Sequence, residues 1–138
     1  MKKDVTHDIE LLVCTRCRLE EEPDEGETRP GARLFEELAS LGIEGVRVTP
    51  VECLSNCSRG CTIALRGPDR WTYVYGGLRP GEAIEIVAAG AGRYRATADG
   101  LVPWRERPEH FRKNCIARIP PLDAAPQTQQ APKLNASP

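Results

Sequence analysis

Five of the six cysteines fall in two tight groups, Cys14 with Cys17 and Cys53 with Cys57 and Cys61. Only Cys115 stands apart. The groups are separated by the 35 residues 18–52. If both serve one site, the fold must carry the chain away and bring it back to the same end. The start, Met1-Lys-Lys-Asp-Val-Thr-His-Asp, is charged and lacks the apolar h-region and small-residue cleavage site of a secretory signal, which argues for the cytoplasm. Structural disulfides are rare in that reducing compartment, so clustered thiols there read as metal ligands or redox groups.

The 138 residues suffice for one domain with a core that needs no staples. We take that domain as residues 1–122 and residues 123–138, rich in Ala, Pro, Gln and Asn, as a disordered tail. Net charge is -1 with no long basic run, which removes nucleic acid from the expected partners because phosphate contacts need clustered Lys and Arg. No apolar stretch approaches the roughly 20 residues of a membrane span. A run of Glu20, Glu21, Glu22, Asp24, Glu25 and Glu27, interrupted by Pro23 and Gly26, reads as a solvated loop.

Periodicity gives the elements. Ile9-Glu-Leu-Leu-Val is a buried strand ending directly in Cys14. Leu34, Leu38 and Leu41, with Phe35 beside them, form one face of a helix that starts at Pro30 and stops at Gly42. Val46, Val48 and Val51 mark a strand over residues 43–51, running up to Cys53. Thr62-Ile-Ala-Leu-Arg and Arg70-Trp-Thr-Tyr-Val-Tyr-Gly, joined by a turn at Gly67-Pro-Asp, predict an antiparallel hairpin. A second helix opens at Pro80-Gly81 with Ala83, Ile84, Val87 and Ala88 on its apolar side, and Gly90 and Gly92 weaken its continuation towards Ala98. Beyond Asp99 the pattern is irregular, with a short helix near Pro108–Asn114. The expected order is therefore β-α-β-β-β-α in an α/β domain, a mixed four-stranded sheet with an irregular C-terminal extension and both cysteine groups at strand ends.

Thiolate is a soft ligand that suits iron–sulfur clusters and zinc. Four thiolates make the usual shell of a [2Fe-2S] cluster, two to each iron, and Cys14 with Cys17 and Cys53 with Cys57 supply that number. Ser55, Asn56, Ser58 and Gly60 are small or turn-prone, Leu54 can tuck towards the core, and Arg59 can set a positive charge beside negative ligands. Zinc is the chemical rival, or cobalt in the same role. Zinc ribbons, however, repeat C-x2-C at shorter separation, whereas the second group here is C-x3-C-x3-C. A thiol–disulfide oxidoreductase using Cys14 and Cys17 is the enzymatic alternative. It lacks the helix that normally follows such a pair, and the nearby carboxylates would raise the thiol pKa. Apart from that alternative, the chain reads as a non-enzyme.

The stretch Cys53-Leu-Ser-Asn-Cys57-Ser-Arg-Gly-Cys61-Thr-Ile-Ala-Leu resembles the second ligand loop of thioredoxin-like [2Fe-2S] ferredoxins, and Leu-Leu-Val-Cys14 resembles their first strand and first ligand. Trp71-Thr-Tyr-Val-Tyr-Gly-Gly-Leu-Arg-Pro and Glu82-Ala-Ile-Glu-Ile-Val resemble the strand and last helix that follow. The likeness spans residues 9–90 and implies a thioredoxin-like fold with electron transfer or redox sensing. Three longer segments, Val51-Glu-Cys-Leu-Ser-Asn-Cys-Ser-Arg-Gly-Cys, Trp71-Thr-Tyr-Val-Tyr-Gly and Asp99-Gly-Leu-Val-Pro-Trp-Arg-Glu-Arg-Pro, are similar to the DUF1636 family, whose members are taken to bind metal. That likeness implies an accessory role near cobalamin or cobalt handling. The chain departs from the ferredoxins in two places. Only Thr15 and Arg16 separate its first two cysteines, and Cys61 stands where the ferredoxins have proline. Cys61 can therefore take the place of Cys17 or Cys57 as a ligand, or be a small buried hydrophobe.

The remaining groups get plainer readings. His7 lies at the far end of its strand from Cys14, and His110 in Pro-Glu-His-Phe reads as a surface residue, so neither joins the site. Trp71 and Trp104 read as packing residues, with Trp104-Arg-Glu-Arg-Pro as a docking patch in the alternative. Cys115 reads as a buried or incidental thiol. The expected partner is a redox protein of unspecified identity, with a homodimer left open.

Overall fold

A computed structural model describes residues 8–16, 29–55 and 60–122. In chain order they form β1 (Ile9–Cys14), α1 (Pro30–Leu41), β2 (Val46–Val51), β3 (Ile63–Arg66), β4 (Thr72–Tyr75), α2 (Ala83–Arg95), a 3₁₀ turn at Trp104–Glu106, α3 (Glu109–Lys113) and β5 (Cys115–Ile119). The acidic run, His7 and residues 123–138 lie outside the described residues.

The strands make one sheet in the order β2-β1-β3-β4-β5. β1 and β2 are parallel, as a strand–helix–strand crossover requires, and the other pairs are antiparallel. The hairpin of β3 and β4 is as expected. The sheet has five strands rather than four. β5 escapes a periodicity argument because an edge strand exposed along most of its length has no apolar alternation, and four of the five residues of Cys-Ile-Ala-Arg-Ile are exposed. The C-terminal region is thus not irregular: its short helix leads into a strand.

Alternation along the strands decides which face is buried. Ile9, Leu11 and Val13 of β1 align with Val46 and Val48 of β2 on one side. On the other they align with Leu65 and Ile63 of β3, which in turn face Tyr73 and Tyr75 of β4. These residues form a single core cluster with Leu34 and Leu38 of α1 and Val87, Ala91 and Tyr94 of α2. Leu34 and Leu38 are 0% exposed, and burial of each contributes about 1.5–3 kcal/mol. Leu41 shares their face but is 47% exposed, because it is the last residue of the helix. Gly42 stops it in the left-handed region at φ 71°, where a Cβ would be strained.

The helix α2 runs on through Gly90 and Gly92 to Arg95. Gly90 is required there by packing. A Cβ at that position would collide with Cε2 of Phe111, the α3 side chain that stacks on Tyr75 at a centroid distance of 3.8 Å. The absent side chain of Gly90 is thus what lets α3 close over the end of β4.

Tyr73 is 2% exposed, stacked beside Tyr75 and edge-on to Tyr94. Among the described residues its buried hydroxyl has no hydrogen-bond partner. A dry, unpaired hydroxyl opposes folding by about 1–3 kcal/mol. Tyr73→Phe should therefore leave chemical-denaturation stability unchanged or raise it by about 1 kcal/mol. A loss above ~1 kcal/mol would mean that the hydroxyl is satisfied.

On the opposite face Glu10 sits between Arg47 and Arg66, its partners in the register of β2 and β3. Its carboxylate accepts from Arg66 at 2.9 Å, Thr49 at 2.6 Å and Arg47 at 3.3 Å. Burial by itself would raise its pKa, but the bonds from Thr49 and Arg66 and the charges of Arg66 and Arg47 outweigh it and hold the group below its ordinary 4.5. A carboxylate depressed on folding stabilises the native state above its unfolded pKa, and that stability is lost as pH falls through the folded one. The stability difference between the native chain and Glu10→Gln, read by urea unfolding, should therefore be largest at neutral pH and shrink below about pH 4.5.

Candidate metal centre

β1 and β2 run parallel and end together, with Cys14 aligned on Val51. The strand that follows β2, β3, lies on the other side of β1 and runs back. The connection between them therefore goes from one side of β1 to the other, and its described flanks, residues 52–55 and 60–62, stand beside the end of β1, where Cys14 is the last residue. Sequence spacing alone does not reveal this crossing, because it depends on which strand takes the middle position.

Hydrogen bonds pin both arms of the crossing to the end of β1. Cys14 N–H donates to the Thr62 carbonyl at 3.0 Å, and Thr15 N–H donates to the Val51 carbonyl at 2.8 Å. The Thr15 hydroxyl adds a second bond to the same carbonyl at 3.3 Å. The Cys14 thiol lies 3.6 Å from the Glu52 carbonyl, to which it donates. Cys14 is thus held between the residue before Cys53 and the residue after Cys61.

The cysteines differ in setting. Cys14 is 1% exposed and Cys61 0% exposed, whereas Cys53 is exposed. The Ser55 N–H donates to the Cys53 sulfur at 3.2 Å, with Ser55 in the left-handed region at φ 59°. A backbone N–H aimed at a sulfur stabilises its anionic form and is a common way of tuning a thiolate ligand. Leu54 packs against the core as its composition suggested. Cys61 is clamped to Leu78 by two backbone bonds, N–H to carbonyl at 3.0 Å and carbonyl to N–H at 3.1 Å. Nothing in the side chain of Leu78 announces this role, because backbone bonding leaves no mark on residue type. Cys17, Cys57 and Arg59 lie outside the described residues. Among the described residues no three His, Cys, Asp or Glu side chains converge as a cation-holding group.

The start of α1 comes to the same end. The Arg29 guanidinium, at the residue preceding the helix, donates to the Arg16 carbonyl at 3.1 Å. The helix N-terminus, with its partial positive charge, is thereby placed beside the chain leaving Cys14.

His110 is placed differently from its sequence reading, whereas Cys115 is an exposed, incidental thiol away from the candidate site. His110 is half-buried, and its Nε2 donates to the Gly76 carbonyl at 2.9 Å, so it holds α3 to the loop after β4. Cys115 is exposed, on β5, three strands from β1. At about 4.8 Å per strand that is roughly 14 Å, beyond the reach of a shared metal centre. Partial burial of its thiol raises the pKa. Trp71 packs against the core under Arg118, whose guanidinium stands 4.9 Å from its ring centroid. Trp104 is 56% exposed, which corrects its reading as a packing residue. It lies against Arg107, whose guanidinium stands 5.6 Å from its ring centroid.

Comparison with known proteins gives three results. The family model described as "Protein of unknown function (DUF1636)" matches residues 11–121. Among solved structures, the thioredoxin-like [2Fe-2S] ferredoxin from Aquifex aeolicus is similar at TM-score 0.53 and 15% identity, covering 87% of this chain and all of that one. A cysteine-to-serine variant of the same ferredoxin is similar at TM-score 0.50 and 15% identity, over 79% of this chain and 98% of that one. None of the curated proteins matches. The structural likeness establishes a thioredoxin-like fold.

Proposed function

The chain belongs to the DUF1636 family, and from that footing we propose that it binds a [2Fe-2S] cluster and acts as a small cytoplasmic electron carrier or redox-linked accessory protein. The ligands in this reading are Cys14 and Cys17 on one side and Cys53 and Cys57 on the other, with Cys61 the alternative to Cys17 or Cys57. What supports it is that the described flanks of the β2–β3 connection, Cys53 on one and Cys61 on the other, stand at the end of β1 on either side of Cys14.

The donor set fits the group. It offers soft sulfur donors, one buried at the strand end, and one with a backbone N–H already directed at it. When bound, a [2Fe-2S] cluster supplies one-electron chemistry. The chain's own part is to fix Cys14 between two hydrogen-bonded arms, keep it dry, and leave Cys53 towards solvent, where a partner can approach. Burial of Cys14 also weighs against the dithiol enzyme, whose attacking thiol has to be reachable.

Anaerobic purification, followed by iron, sulfide and zinc analysis and a visible spectrum, tests the proposal. The expected result is about two irons and two sulfides per chain with charge-transfer absorption. Stoichiometric zinc without sulfide, or a colourless protein after reconstitution, would sink it.

A further inference from the structure

The face of the sheet turned away from the core cluster carries a cavity of about 630 Å³ at the start of β1. Cys14 is at the other end of that strand, four residues or about 13 Å from Glu10, so the cavity is separate from the candidate metal centre. Its floor is the belt of Arg47, Glu10 and Arg66. One wall is the β3–β4 turn, and the other is Pro120, Pro121 and Leu122, where the chain leaves β5. Ring closure fixes φ at both prolines, so that wall is preformed. Leu122 is 97% exposed there, an apolar side chain left in water beside charged groups. The charges of the lining do not cancel. Asp8 is taken by Arg95, and the donors of Arg70 are spent on the carbonyls of Asp8, Arg95 and Thr97. That leaves the guanidiniums of Arg47, Arg66 and Arg70 against the carboxylates of Glu10 and Asp69, one positive charge in excess. Among the described residues Glu10 is the ion-pair partner of both Arg47 and Arg66, through Nη2 of the first and Nε of the second. A guanidinium carries five N–H donors in a planar fork, so these contacts orient both forks without using them up. The two arginine side chains are 62% and 55% exposed, against 13% for Glu10.

We propose that this cavity binds a small organic carboxylate with an apolar body. The carboxylate accepts from the outer N–H groups of Arg47 and Arg66, and the apolar body lies along Pro120, Pro121 and Leu122. A guanidinium fork matches a carboxylate with two parallel, charge-assisted hydrogen bonds, which a point charge does not. Glu10, itself held by the Thr49 hydroxyl at 2.6 Å, keeps both forks in place before a ligand arrives, so less side-chain freedom is lost on binding. Glu10 also repels an incoming anion, which places the ligand's carboxylate on the far side of the guanidiniums from it. One excess positive charge suits a monocarboxylate. A phosphate dianion would exceed it and, having no apolar body, would leave Leu122 in water. The cavity volume lies within the range of about 300–1,000 Å³ usual for small-molecule sites.

Titration calorimetry of the full chain with octanoate tests the site. The expected result is saturable binding, one octanoate per chain, with a Kd of about 1 mM or tighter. Octanamide, which keeps the apolar body but not the charge, and inorganic phosphate, which has charge alone, should each bind at least about tenfold more weakly. Arg66→Lys keeps the cation beside Glu10 but removes the fork, and should weaken octanoate at least about tenfold. Leu122→Ser alters an exposed residue and leaves packing untouched, and should weaken octanoate as well. On the unaltered protein, the Leu122 methyl resonances should shift as octanoate is added. No saturable binding overturns the proposal, and so does octanamide or phosphate bound as tightly as octanoate. Unmoved Leu122 methyls, or either folded variant binding octanoate as tightly as the native chain, overturn it too.

Discussion

Replacing Cys14 with serine is expected to abolish the iron and sulfide content of anaerobically reconstituted protein, with Cys53→Ser doing the same. Loss of a direct ligand should exceed the roughly 10- to 100-fold cost seen when only an outer partner of a metal site is removed. The two variants should differ in stability. Cys14 is buried within the core cluster, so its replacement also places a hydroxyl in a thiol's position, whereas Cys53 is exposed and its replacement leaves packing untouched. Cys53→Ser is therefore the cleaner test, because it separates the metal from the fold. Cys115→Ser is the matched control and should retain full cluster content. Cys61→Ser, at a residue as buried as Cys14, decides between the two ligand sets, and with Cys17 as the fourth ligand it should keep full content. Iron and sulfide analysis with circular dichroism on the same samples checks all four. If Cys53→Ser keeps a full complement, the proposed centre is wrong. If Cys61→Ser loses it while Cys17→Ser does not, the fourth ligand is Cys61.

Gly90→Ala should destabilise the protein by about 1–3 kcal/mol, the usual cost of inserting a methyl group into a filled space. Helix propensity by itself gives the opposite sign, a gain of about 1 kcal/mol for alanine over glycine inside a helix. The contact decides between them. The new methyl would collide with Phe111 Cε2 and stand 2.7 Å from Cδ2 and Cζ, so the whole ring, not the tip of a flexible chain, must move. Phe111 cannot withdraw without leaving its stack on Tyr75, and the loop at Gly76 is tied to α3 through His110. Gly92, two residues on, has open space, so Gly92→Ala should show the ordinary helix gain. Urea unfolding of the pair reads both signs at once; equal stabilisation by both would show that α3 does not pack on α2 as described.

Much of the fold was legible from local pattern. The runs ending at Cys14 and Val51, the Leu34–Leu38 face and the turn at Gly67-Pro-Asp each carry their own signal, because a buried strand, a helix face and a tight turn impose residue types over a few positions. β5 did not, since exposure on an edge selects for almost nothing. Leu41 and Trp104 show the same limit from the other side: an apolar residue fits a core pattern whether or not the chain reaches the core.

The amino-acid order alone determined the candidate donors: two groups of thiols, their spacing, and small residues around the second. It could not determine that β1 takes the place between β2 and β3, nor that Cys14 would be dry while Cys53 faced water. Strand order follows from how apolar faces share one core, a long-range balance that no window of the chain contains. In this molecule that balance sets the flanks of the β2–β3 connection, with Cys53 and Cys61, on either side of Cys14, and the proposed centre depends on it.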